Sequence, residues 1–141
     1  MVLRRRFIAI GAALCSPFVW GSVWAQAAAD EYISLDDARR LHQAGSAVLI
    51  DIRESEEHAT GVVAGAKLLP MSQLKQRLRE IPVDSKLPVL LICRTQNRSS
   101  ATLRALRKQL GEQNYAHVRF VQGGMSEWTQ RGWPLVAPAK L

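Results

Sequence analysis

Pro88-Val89-Leu90-Leu91-Ile92-Cys93-Arg94-Thr95-Gln96-Asn97-Arg98-Ser99 passes from an unbroken apolar run into a polar turn at Cys93. The run up to Cys93 is what a strand buried on both faces requires. From Ser99 onward, Leu103, Leu106 and Leu110 recur at helical spacing and are expected to face inward, with Gly111 closing the helix. A buried strand thus delivers Cys93 into a tight turn, Arg94 to Arg98, that curls over the start of a helix. Backbone N–H groups there lack intrahelical acceptors and carry the positive end of the helix dipole. Arg94 and Arg98 add full charges. Each of these favours thiolate over thiol, and the same cradle would hold an anion against the sulfur. The competing reading is a small, inert Cys at a strand end. Two arginines within five residues of Cys93, at a strand-to-helix turn, favour the nucleophile.

Outward from this segment, apolar runs alternate with helical patterns. Ala47 to Ile52 reads as a second buried strand, Ala66 to Leu69 as a brief one ending at Pro70, and His117 to Val121 as another. Ser34 caps a helix with Leu35, Ala38 and Leu41 on one face, ended by Gly45. Glu54 to Thr60 is a short helix stopped by Gly61, and Ser72 to Glu80 an amphipathic one with Leu74, Leu78 and Ile81 together. Gly124 to Gln130 is a last short helix. Alternating strands and helices predict an α/β sandwich around a mainly parallel sheet, with the chemistry at the carboxyl ends of the strands. Cys93 and Asp51 both stand at such ends.

The 141-residue chain has a one-domain length. Arg4-Arg5-Arg6, an apolar stretch to about Ala25 and a small-residue end predict a secretory signal peptide over residues 1–25. Pro17 argues against a retained membrane anchor, so membrane association is expected only through the uncleaved peptide. The general secretory and twin-arginine routes are both open, and the mature protein is expected in the periplasm or outside the cell. Cleavage removes three basic and no acidic residues, so the net charge falls from +7 to +4. That mild, scattered charge excludes any need for a nucleic-acid partner and suits small anions. Cleavage also removes Cys15, leaving Cys93 as the sole thiol, which an exported protein must bury or use.

Three segments together resemble rhodanese-like domains. The first is Leu49-Ile50-Asp51-Ile52-Arg53-Glu54, with Glu57-His58 and Gly61-Val62-Val63-Ala64-Gly65-Ala66. The second is Cys93 to Ser99, similar to the family loop Cys-Arg-[Ser/Thr]-Gly-x-Arg-Ser. The third is Gly123-Gly124-Met125-Ser126-Glu127-Trp128 with Gly132-Trp133-Pro134-Leu135. The resemblance spans about Ile33 to Val136. With the signal peptide, it predicts a linker at 26–32, the domain at 33–137 and a tail at 138–141. It implies a three-layer sandwich with a central five-stranded parallel sheet. It also implies a thiosulfate sulfurtransferase that moves sulfane sulfur through a Cys93 persulfide to cyanide in assay, or to a thiol or partner protein in the cell. The loop Arg94, Thr95, Gln96, Asn97, Arg98 and Ser99 would bind the small anionic donor. No metal or organic cofactor is implied, and a monomer or weak dimer is expected. Val62 replaces the family's common His, a position of structural character. Gln96 stands where the family usually has Gly. It must accept the loop's backbone angle, at about 1–2 kcal/mol if φ is positive. It also sets a polar side chain at the cradle mouth, which bears on donor preference.

Asp51 either pairs with a loop arginine, Arg98 being the best placed, or caps the helix at Glu54. Arg53 and Glu57, four apart, read as a surface pair worth about 0.2–0.5 kcal/mol. Ser99 and Ser100 read as capping residues, with a Ser99 hydroxyl facing the persulfide as the alternative. Trp128 and Trp133 read as packing, and His42, His58 and His117 as structural or exposed. Two other functions compete. A Cys-loop phosphatase or arsenate reductase would use a Cys-x5-Arg loop, one residue longer than the Cys-x4-Arg here. A non-turnover sulfur carrier would be loaded by a partner protein.

Overall fold

The computed structural model describes residues 31–139. The predicted signal peptide and most of the linker lie outside the described residues. Among the described residues no helix is long and apolar enough to cross a membrane.

The elements in chain order are β1 (Tyr32–Ile33), α1 (Leu35–Gln43), β2 (Val48–Asp51), α2 (Ser55–His58), β3 (Lys67–Leu68), β4 (Val89–Ile92), α3 (Asn97–Leu110), β5 (Val118–Val121) and α4 (Gly124–Gln130). Short 3-10 turns occupy Met71–Gln73, Leu78–Glu80 and Gln113–Tyr115. The strands form one parallel sheet in the order β1-β5-β4-β2-β3. The predicted five-stranded α/β architecture is therefore present. Its first strand, Tyr32–Ile33, has no periodicity of its own and is a strand because β5 pairs with it.

Register fixes the site. Asp51 is level with Ile92 across β2 and β4, so Cys93 follows one step past the carboxyl end of the central strand. Side chains alternate across a strand. Leu90 and Ile92 enter the cluster with Leu35, Ala38, Met125 and Trp128. Val89, Leu91 and Cys93 enter the opposite cluster with Leu103 and Leu106 of α3. Cys93 therefore faces the start of α3. Leu110 departs from the expected inward stripe and is 42 % exposed, because it falls in the last turn of the helix, beyond the sheet.

Two further expectations are corrected. Ser72 to Glu80 is not one helix but two 3-10 turns, with Arg77 between them at φ −111° and ψ 20°. Arg77 there donates to Leu68 O and pairs with Glu80, and Met71, Leu74 and Leu78 still reach the core. The apolar spacing does mark the core-facing residues, but tertiary bonding overrides the helical period. The Glu54 to Thr60 helix is confined to Ser55–His58. At the far end, Val62 and Val136 form an antiparallel bridge that straps the C-terminal segment down.

Candidate active site

Cys93 follows directly on β4 and is almost fully buried, at 1 % exposure. The peptide after it is clamped by α4. Met125 N–H donates to Cys93 O at 2.9 Å, and Ser126 N–H donates to Arg94 O at 2.8 Å. Gly124 makes this approach feasible: its φ is +58°, and a Cβ there would lie 2.0 Å from Thr95 O and 2.5 Å from Cys93 O. Every described peptide bond is trans. In a trans peptide the C=O and the next N–H point opposite ways. The carbonyls of Cys93 and Arg94 turn to α4, so the N–H groups of Arg94 and Thr95 turn away from it. Among the described residues, the N–H groups of Arg94, Thr95, Gln96, Arg98 and Ser99 have no protein acceptor. This is a ready binding surface for an anion.

Ser99 is buried, with Oγ 3.4 Å from Cys93 Sγ. Its O–H donates to Gln96 O at 3.1 Å. A thiolate gives that hydroxyl proton a second, charged acceptor, so the alternative reading of Ser99 is the one the geometry supports. The cap of α3 is Gln96, whose own side chain makes no capping bond to the helix.

Gln96 corrects the expectation of strain. Its φ is −151°, and no described non-glycine residue has positive φ. Its side-chain carbonyl accepts from Gly123 N–H at 3.3 Å. The residue that replaces the family glycine is a third tie between the loop and the turn before α4.

Arg98 also differs from expectation. It does not meet Asp51. Both of its Nη atoms donate to the Glu57 carboxylate at 2.7 Å. This holds Glu57 at about 2, well below the usual carboxylate range, and raises Arg98. Arg98 is thus a strut between α2 and the loop rather than a free charge. Arg94 is exposed and has no side-chain partner among the described residues.

Asp51 neither pairs with Arg98 nor caps α2, which starts from a Glu54 capping box. It is buried and holds Arg53 through Nε at 3.0 Å and Nη2 at 2.6 Å. Arg53 is 5 % exposed and also donates to Glu57 O at 3.3 Å and Gly61 O at 2.9 Å. The expected surface pair of Arg53 with Glu57 is therefore replaced by a buried Asp51–Arg53 pair that shapes the turn after β2. The turn lets the two side chains meet two residues apart, which helical spacing does not foresee. His58 lies behind it, Nε2 at 3.4 Å from Asp51. His42 meets Ala64 O and His117 meets Pro82 O, both as structural contacts. Trp128 is buried with Trp133 packed edge-on at 5.0 Å, as expected.

The site residue that the sequence does not reveal is Glu57. Its spacing from Arg53 drew it into a surface pair, and only the packing of α2 beside the loop reveals Arg98 as its partner. The pairing has a pH signature. A depressed folded pKa stabilises fully above the unfolded value and is lost as pH falls through the folded value. The window here runs from 4.5 down to about 2. Both side chains are about a third exposed, so screening limits the loss to about 1 kcal/mol. Urea unfolding of wild type against Glu57→Gln is expected to show the difference shrinking across that window. A constant difference would exclude the pair as its source.

A buried thiol beside unpaired loop amides, at the carboxyl end of a parallel sheet, is an arrangement able to hold a small anion against a cysteine sulfur. Residues 34–131 match the rhodanese-like domain family, and the chain belongs to it. A sulfurtransferase of Allochromatium vinosum is 35% identical over 101 residues, 72% of this chain and 89% of that protein. A rhodanese-related protein from Thermoplasma volcanium superposes with a TM-score of 0.63 at 26% identity, over 77% of this chain and 99% of that one. A thiosulfate sulfurtransferase from Pseudomonas aeruginosa gives 0.61 at 25% identity, over 76% of this chain and 20% of that one.

Proposed function

We propose that this rhodanese-family sulfurtransferase takes sulfane sulfur from thiosulfate and passes it on through a Cys93 persulfide. The Cys93 thiolate attacks the outer sulfur of the donor. The S–S bond breaks, and its electron pair leaves on sulfite. The loop amides hold the anionic end of the donor while charge moves from Sγ to the leaving oxyanion. An acceptor, cyanide in assay or a thiol in the cell, then attacks the outer persulfide sulfur and restores the Sγ thiolate.

The observation that carries this reading is the group of unpaired loop N–H donors around a thiol at 1 % exposure. Such burial favours a small inorganic donor over delivery by a partner protein. The thiosulfate named in the Pseudomonas aeruginosa protein supports the same choice. The pattern of residues 1–25 supports action after export. Intact mass of the purified protein after thiosulfate treatment tests the donor. A one-sulfur adduct that cyanide removes is expected. Turnover of an aryl phosphate with no adduct from any sulfur donor would replace sulfur transfer with phosphatase chemistry.

A further inference from the structure

Gln96 makes bonds at both of its ends. Its side-chain carbonyl accepts from Gly123 N–H at 3.3 Å, across 27 positions of chain. Its backbone carbonyl accepts from Ser99 Oγ–H at 3.1 Å and from Ser100 N–H at 2.9 Å. Ser99 Oγ in turn lies 3.4 Å from Cys93 Sγ. A line of contacts therefore runs from the turn before α4, through both carbonyls of Gln96, to the sulfur. It exists because residue 96 carries a carboxamide.

Nothing else pins this residue. Gln96 is exposed, and its φ of −151° lies in the range that any residue adopts. The orientation of its carbonyl depends on Gly123 at one end and on the first turn of α3 at the other. The Ser99 hydroxyl has one proton and two acceptors within reach, Gln96 O and Sγ. When the O–H turns from Gln96 O to Sγ, the carbonyl still holds Ser100 N–H, so no acceptor is stranded.

We infer that Gln96 is a positioning residue for the second half of the transfer, holding its backbone carbonyl where the Ser99 hydroxyl waits one rotation from Sγ. This rests on the persulfide reading but not on thiosulfate as donor. As an acceptor attacks the outer persulfide sulfur, the Sγ–S bond breaks and its electron pair returns to Sγ. The Ser99 O–H turns to the sulfur as that charge appears, and the proton stays on Oγ. A hydrogen bond to an ionised acceptor is about twice as strong as one to a neutral carbonyl, so the turn favours discharge. Without the bond to Gly123 the peptide after Gln96 rocks, and the hydroxyl is no longer held within reach.

The test starts from protein loaded with sulfur by inorganic polysulfide and freed of excess reagent. Single-turnover discharge by cyanide is followed in wild type, Gln96→Met, Ser99→Ala and the double variant. Methionine keeps the length of the side chain and removes the acceptor. Gln96→Met is expected to lower the saturating rate constant about fivefold, the scale of one net hydrogen bond, with the half-saturating cyanide concentration unchanged. Ser99→Ala is expected to lower it about tenfold, the scale of a bond to a charged group. The double variant should be no slower than Ser99→Ala, because the tie acts through that hydroxyl. The Gly123 amide should exchange with deuterium faster in Gln96→Met than in wild type. A double variant about fiftyfold slow would make the two residues independent, as a merely structural Gln96 requires, and would overturn the inference. So would a Gln96→Met rate within about twofold of wild type, a change confined to half-saturation, or equal exchange of the Gly123 amide. Should Ser99→Ala fail to fold, the rate and the amide exchange of Gln96→Met decide alone. Absence of a sulfur adduct from both thiosulfate and polysulfide would count against the persulfide reading. The same four proteins, compared by the rate at which iodoacetamide alkylates Cys93, then show whether Gln96 reaches the sulfur through Ser99.

Discussion

Cys93→Ser is expected to abolish sulfur transfer, with at least about a thousandfold loss against any donor and no sulfur adduct by intact mass. A hydroxyl at this position has no base to ionise it. Its nearest side-chain polar neighbour is Ser99 Oγ, itself a hydroxyl already donating to Gln96 O. His58 lies against Asp51, with Nε2 3.4 Å from that carboxylate. Sulfur is intrinsically the stronger nucleophile, and the loop offers it backbone donors rather than a base. The fold should survive. Cys93 is buried among Leu91, Leu103 and Leu106, and serine is close to it in volume. The polar swap in an apolar cluster should cost about 1–2 kcal/mol. Circular dichroism and thermal unfolding separate the two effects: a folded, inactive, unlabelled variant is the expected result. Residual cyanide-removable adduct in Cys93→Ser would locate the nucleophile elsewhere.

Gly124→Ala should be the most damaging substitution outside the nucleophile. A methyl group there would overlap Thr95 O at 2.0 Å and Cys93 O at 2.5 Å, both backbone atoms that cannot swing aside. Its φ of +58° adds the left-handed penalty of about 1–2 kcal/mol. The loop and α4 must separate, which breaks the bonds from Met125 and Ser126 and leaves the loop carbonyls unpaired. A destabilisation of about 3 kcal/mol or more follows. A shift of the loop by about 1 Å can itself lower turnover about a hundredfold. Gly132→Ala is the control. It has the same left-handed backbone, φ +66°, with nothing within 4 Å of the added carbon. It should lose only the conformational penalty and keep its activity. Equal losses in the two variants would show that backbone angle, not contact with the loop, makes Gly124 indispensable.

The sequence showed most clearly those parts whose cause is local. The β4 run is apolar because both faces are buried, and the polar turn after it can only emerge at a strand end. The helix of α3 and the packing of Trp128 follow from spacing and size alone. What the sequence concealed depends on partners distant in the chain. Tyr32–Ile33 is too short to announce itself and owes its form to β5. Leu74 and Leu78 reach the core without a continuous helix, because Arg77 draws the segment toward Leu68 and Glu80. In the site, Cys93 and its loop were legible, whereas the pairing of the charges was not. Arg98 finds Glu57 across 41 positions, and Asp51 finds Arg53 only because the chain turns sharply after β2. Gln96 looked like a source of strain, because a glycine preference suggests a left-handed angle that this loop does not adopt.

The clamp of α4 on the carbonyls of Cys93 and Arg94 also bears on how the enzyme meets its substrate. In bulk solvent, water dipoles must swing round as negative charge migrates from the attacking sulfur to the departing oxyanion. In the sulfur transfer proposed above, the peptide dipoles that would meet that charge are anchored from behind by Gly123, Met125 and Ser126. Their orientation is established when the chain folds and need not be rebuilt at each turnover. On that proposal the loop needs no closing motion, and donor capture is expected to be set by encounter. Arg94, without an ion-pair partner among the described residues, is expected to make that encounter faster in dilute buffer than in concentrated salt.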